Sequence, residues 1–109
     1  MRAVCGDHRL FIVDEAHGSH CYFSDNCPTP ALKAGADAAI DSLHKTLGGI
    51  YGTSLINIGK FSKLDVDKIK MLHMMMASGS GDDISPFLLA DAEGCIEIFA
   101  SKDGENLVN

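Results

Sequence analysis

No stretch of this chain gathers lysine and arginine, and its formal net charge is −6. A nucleic-acid-binding surface needs a basic patch, so nucleic acid is set aside as a partner. No apolar run approaches the roughly 20 residues needed to cross a bilayer. Met1-Arg2-Ala3-Val4-Cys5-Gly6-Asp7 lacks the apolar core of an export signal. A cytoplasmic location with no membrane partner is the resulting expectation. Cys5, Cys21, Cys27 and Cys95 are unevenly spaced, and no pair reads Cys-x-x-Cys. With no export signal they are expected to remain thiols. There is no internal repeat and no low-complexity tract. The acidic balance fits a cationic substrate only weakly, because surface charge mostly serves solubility.

What the chain does have is alternation between short apolar runs and helical patterns. Leu10-Phe11-Ile12-Val13 reads as a strand buried on both faces, residues 38–42 as a second strand and residues 54–58 as a third. Thr29-Pro30-Ala31-Leu32-Lys33-Ala34-Gly35 reads as one or two helical turns, with Thr29 as cap, Pro30 first and Gly35 as a left-handed stop. Asp65 caps a helix carrying Val66, Ile69, Leu72 and Met76 at helical spacing, and Met74-Met75-Met76 is taken as core packing. Residues 78–83 read as a polar break. Ser85-Pro86 starts another helix through Phe87, Leu88, Leu89, Ala92, Ile96 and Phe99, with Gly104 as its stop. The order predicts an α/β fold with a mostly parallel sheet and flanking helices. Such strands need helices on both faces and few are available, so residues 1–109 are expected to be an incomplete domain.

Two motifs follow two of these runs. Val13-Asp14-Glu15-Ala16-His17-Gly18-Ser19-His20 follows the first, and Ser42-Leu43-His44-Lys45-Thr46 the second. Open α/β sheets bind ligands at such strand ends. A lysine there can form a Schiff base with an aldehyde, and an aspartate can pair with a pyridinium nitrogen, which is the chemistry pyridoxal 5'-phosphate requires. Lys45 is the candidate amine and Asp14 the candidate carboxylate. Ser42 and His44 are candidates for the phosphate, Ala16 for the ring's face and His17 for its phenolic oxygen. The plainer alternatives are an exposed lysine and an aspartate that caps the following turn. His17, His20, Cys21 and Cys27 are all capable zinc ligands, but their spacing does not match paired ligand knuckles, and no metal is expected.

These motifs resemble the major domain of the bacterial-type ornithine/lysine/arginine decarboxylases, which have the aspartate aminotransferase fold. Pro28-Thr29-Pro30-Ala31-Leu32, Gly35-Ala36-Asp37, Thr53-Ser54-Leu55 and Ser85-Pro86-Phe87-Leu88-Leu89 stand in the family's order. The resemblance implies part of a large pyridoxal phosphate-binding domain, incomplete at both ends. It implies that Lys45 carries the cofactor, Asp14 pairs with its ring nitrogen, Ser42 and His44 bind its phosphate, Ala16 packs beneath the ring and His17 lies close by. The implied reaction is α-decarboxylation of lysine, arginine or ornithine in a homo-oligomer, a dimer or larger. The family's Ser/Thr-rich stretch before Ser-Pro is replaced here by the acidic residues 78–84.

Two alternatives stand beside it. One is a related acyltransferase of the α-oxoamine synthase type, disfavoured because such enzymes usually carry Ser-Lys where this chain has His44-Lys45. The other is a non-catalytic truncated remnant. The fragment alone is expected to be inactive. Exposed Phe11, Ile12, Ile40, Leu55 and Ile56 would form a patch prone to association.

Overall fold

The computed structural model describes residues 4, 6, 8–80, 85–101 and 104–108. Three strands form one sheet in the order β1 (Ile12–Asp14), β2 (Ala38–Ser42) and β3 (Ser54–Ile58). β2 and β3 have the limits that their apolar runs predict, whereas β1 starts two residues later than expected and takes in Asp14. β1 and β2 are parallel, with Ile12 opposite Ala38 and Asp14 opposite Ile40. β2 and β3 are antiparallel, with Ile40 opposite Ile56 and Ser42 opposite Ser54.

The sheet is therefore mixed rather than mostly parallel. A parallel return takes a crossover of about a dozen residues or more, usually a helix. Between β2 and β3 there is only the one-turn helix α1 (Leu43–Thr46) and a set of turns, with Gly48 and Gly52 at positive φ. That connector folds back on itself, because the Leu43 N–H donates to the Thr53 carbonyl at 3.0 Å.

The longer β1–β2 connection uses turns as well. The Ala34 N–H donates to Pro30 and the Ala36 N–H to Ala31, and Gly35 takes a φ of +92°, the left-handed stop its position predicts. The cap differs from the expectation. Both Glu15 carboxylate oxygens accept the Ala31 N–H, at 3.0 and 3.2 Å, a role assigned in sequence to Thr29.

Alternation along the strands gives the sheet two unlike faces. Val13, Ala39, Asp41, Leu55 and Asn57 point to a covered face. Ala31, Ala36 and Ala39 form one core cluster there, against Phe11, Val13 and Leu32. Leu43, Leu47, Ala92 and Cys95 form the other, joined by Phe23, Leu55 and Phe99. On the opposite face Ile12, Ile40 and Ile56 are 54, 40 and 53% exposed. Phe11 and Leu55, expected in the exposed patch, instead pack on the core.

Two longer helices follow. The backbone of α2 (Val66–Ser80) is capped as predicted, Asp65 Oδ1 accepting the Lys68 N–H at 3.1 Å. The helix runs through Ser80, so the predicted break does not begin at residue 78; residues 81–84 lie outside the described set. Met74, Met75 and Met76 are exposed rather than core, because the clusters are built on the other helix. That helix, α3 (Pro86–Ala100), begins at its proline and buries Ala92 and Cys95, with Leu88 and Phe99 half-buried on the same stripe. Phe87 and Leu89 face away from it. α3 ends at Ala100, and Gly104 opens a further short helix, α4 (Gly104–Val108), instead of closing one. Among the described residues no helix is long and apolar enough to cross a membrane.

Candidate active site

Parallel pairing of β1 and β2 places both motifs at one end of the sheet. Asp14 closes β1 opposite Ile40, and β2 runs two residues further to Ser42 before α1 presents His44 and Lys45. Two bonds tie the motifs there. The Glu15 N–H donates to the Ile40 carbonyl at 2.9 Å, and the Ser19 hydroxyl to the Ser42 carbonyl at 3.1 Å.

Asp14 is exposed, and its Oδ1 accepts the Ala16 N–H at 3.1 Å. The carboxylate thus caps the turn, as the plainer alternative has it, and Oδ2 has no partner among the described residues. Ala16 is half-buried and His17 exposed in the turn that follows, closed by a bond from the Gly18 N–H to the Glu15 carbonyl at 2.7 Å. Only glycine fits at 18, since a Cβ there would run into Glu15 Cγ.

Ser42 is buried at the end of β2. Lys45 is exposed on α1, and its ammonium has no partner among the described residues. His44 is half-buried and held on two sides. Its Nδ1 lies 3.1 Å from the Thr53 carbonyl, and its ring meets Tyr51 with centroids 5.1 Å apart. A carbonyl only accepts, so Nδ1 carries the proton and Nε2 is left for other partners. The Ile50 N–H donates to Asp91 Oδ2 at 2.7 Å, which ties this loop to α3.

Several working residues have no role in the sequence reading. Glu15 holds Ala31 and also accepts from the Tyr22 hydroxyl at 3.2 Å. Burial and the Glu15 carboxylate push the Tyr22 phenol well above its ordinary value. Asp37 is buried and accepts the Phe11 N–H at 2.8 Å. Asp41, only 1% exposed, accepts from the Asn57 amide at 2.7 Å, a diagonal pair on the covered face. The available signal was an aspartate inside an apolar strand, which needs a buried partner.

No family model matches the chain, and no solved structure matches it. Among curated proteins it is similar to the arginine decarboxylase of Bacillus cereus, 38% identical over 69 residues, which is 63% of this chain and 15% of that protein. It is 39% identical over 71 residues to the arginine decarboxylase of Bacillus subtilis, covering 63% of this chain and 14% of that protein. It is 45% identical over 47 residues to that of Halalkalibacterium halodurans, covering 43% of this chain and 10% of that protein. The match spans about one seventh or less of each relative. These names lend no support to the acyltransferase alternative. Over this short region, the chain is related to arginine decarboxylases.

Proposed function

We propose that the chain supplies the lysine-bearing part of a pyridoxal 5'-phosphate-dependent α-decarboxylase. The relatives' names favour arginine among the basic amino acids as substrate. The working protein is a cytoplasmic homo-oligomer on this reading. The observation that carries the site is the parallel β1–β2 pairing, which brings the Asp14 and Lys45 motifs to one end of the sheet.

The residues there fit the cofactor by their chemistry: among the described residues, an unpartnered exposed amine, a carboxylate with one uncommitted oxygen, and an imidazole with an uncommitted nitrogen. When bound, pyridoxal phosphate supplies a ring that accepts the electron pair released when carbon dioxide leaves. Lys45 would hold the cofactor through its aldehyde. Asp14 Oδ2 would pair with the ring nitrogen and favour its protonated form. His44 Nε2 and the Ser42 hydroxyl serve the phosphate, while Ala16 supports the ring's face and His17 attends its phenolic oxygen.

Borohydride reduction of the full-length holoenzyme followed by peptide mapping tests the assignment. The label is expected on Lys45, and Lys45→Ala is expected to abolish carbon dioxide release from arginine. A label on any other lysine removes Lys45 from the site. Faster turnover of lysine or ornithine corrects the substrate alone.

A further inference from the structure

The Ser19–Tyr22 turn and the loop after it build a second cluster that the proposed reaction does not use. His20, Cys21 and Cys27 each bring one potential ligand atom, and these atoms all lie within 4.8 Å of one another. Cys21 is 7% exposed, Cys27 and His20 are half-buried, and both cysteines are free thiols. His17, grouped with them by sequence, is not part of the cluster. Sequence spacing argues against a paired knuckle, but folding supplies the proximity that spacing does not. The tight turn projects His20 and Cys21 together, and the chain returns through a bond from the Cys27 N–H to the Ser24 carbonyl at 3.4 Å.

We propose that His20, Cys21 and Cys27 form a binding site for a soft divalent metal, zinc by preference. Two thiolates and an imidazole are the donor set that zinc favours, with the fourth position left to a water or an added ligand. The Cys21 Sγ to His20 Nε2 distance is 3.7 Å. Tetrahedral zinc, with bonds of about 2.3 Å to sulfur and about 2.0 Å to nitrogen, holds such a pair roughly 3.6 Å apart. Closing the widest pair needs a movement on the order of 1 Å, within reach of a half-buried Cys27. The surroundings favour a cation. Two carboxylates, Glu15 and Asp41, lie near enough to Cys21 to act on it electrostatically. The buried His20 Nδ1 has no hydrogen-bond partner among the described residues, so that end of the ring does not settle which nitrogen is protonated. A bound ion would stitch residue 20 to residue 27, just ahead of the turn that Glu15 caps. This inference does not depend on the decarboxylase reading.

Cobalt titration of the full-length protein under reducing conditions is the test, with zinc as competitor. One equivalent of cobalt is expected to give a near-ultraviolet thiolate charge-transfer band that zinc abolishes. Cys27→Ser is expected to weaken binding by about 100-fold or more, and Cys21→Ser/Cys27→Ser to remove the band. Cys95→Ala, a core position, should leave the band unchanged, which separates loss of ligands from loss of fold. Circular dichroism of each metal-free variant checks the same point. A parent without the band, or a band that survives in the double variant, overturns the proposal.

Discussion

The two faces of the sheet divide the labour of this chain. The covered face holds Ala39 and Asp41 almost completely out of water, and both core clusters lie on its side. The opposite face leaves three isoleucines half in water and carries Asp14 at the end of its outer strand. Stability is concentrated where side chains interlock. The proposed amine and its partner carboxylate, Lys45 and Asp14, sit where they do not, on exposed groups. The same chain thus treats two carboxylates in opposite ways. Asp41 is buried against Asn57, while Asp14 spends one oxygen on a turn and keeps the other.

This division can be broken by substitutions that should act on one face alone. Asp14→Asn in the full-length holoenzyme is expected to cut turnover on the order of 100-fold while cofactor content stays near normal, because charge is lost and shape is kept. Near-normal turnover would end the argument for Asp14. Leu43→Ala strikes the covered side and should cost about 3 kcal/mol, the usual cost of a cavity at a fully buried leucine. Urea denaturation measures it, and a cost below about 1 kcal/mol would mean that the cluster collapses around the gap.

Tyr22→Phe should cost about 1 kcal/mol at neutral pH, the worth of one half-buried hydrogen bond. Its pH dependence has a definite sign. The folded phenol titrates above its ordinary value of 10.0, so its contribution is intact below that pH. The contribution is lost as pH climbs from there toward the raised folded value, because the unfolded chain releases its proton first. Denaturation midpoints of parent and variant should converge across that alkaline range. Smallest of all should be Ile12→Ser, Ile40→Ser and Ile56→Ser, each within about 0.5 kcal/mol of the parent. Their combination should reduce self-association in sedimentation velocity. A large loss of stability instead would show that the open face is covered.

Much of this was legible in the residues. The limits of β2 and β3, the left-handed Gly35, the Asp65 cap and the Pro86 helix start all follow from local chemistry that neighbours do not override. Strand direction did not, since nothing within residues 54–58 distinguishes a parallel from an antiparallel strand. The information lies in the short connector before it. Met74 to Met76 were misread because periodicity marks an apolar stripe without saying whether anything packs on it. The motifs put Asp14 and Lys45 after two strands whose parallel pairing brings them to one end of the sheet, whereas Glu15 and the His20–Cys21–Cys27 cluster depend on contacts closed by the fold.

The Thr53 carbonyl receives both the Leu43 N–H and the His44 Nδ1–H, and so one backbone oxygen fixes which nitrogen of the neutral imidazole carries the proton. With Nδ1 committed as donor, Nε2 of the neutral ring can only accept. A fully ionised phosphate also only accepts, so the two groups cannot bond as they stand. Either His44 takes up a second proton or the phosphate keeps one of its own. At alkaline pH, where a free imidazole is neutral and a free phosphate monoester doubly charged, seating the phosphate at His44 therefore takes up a proton, and its binding heat should vary with the ionisation enthalpy of the buffer.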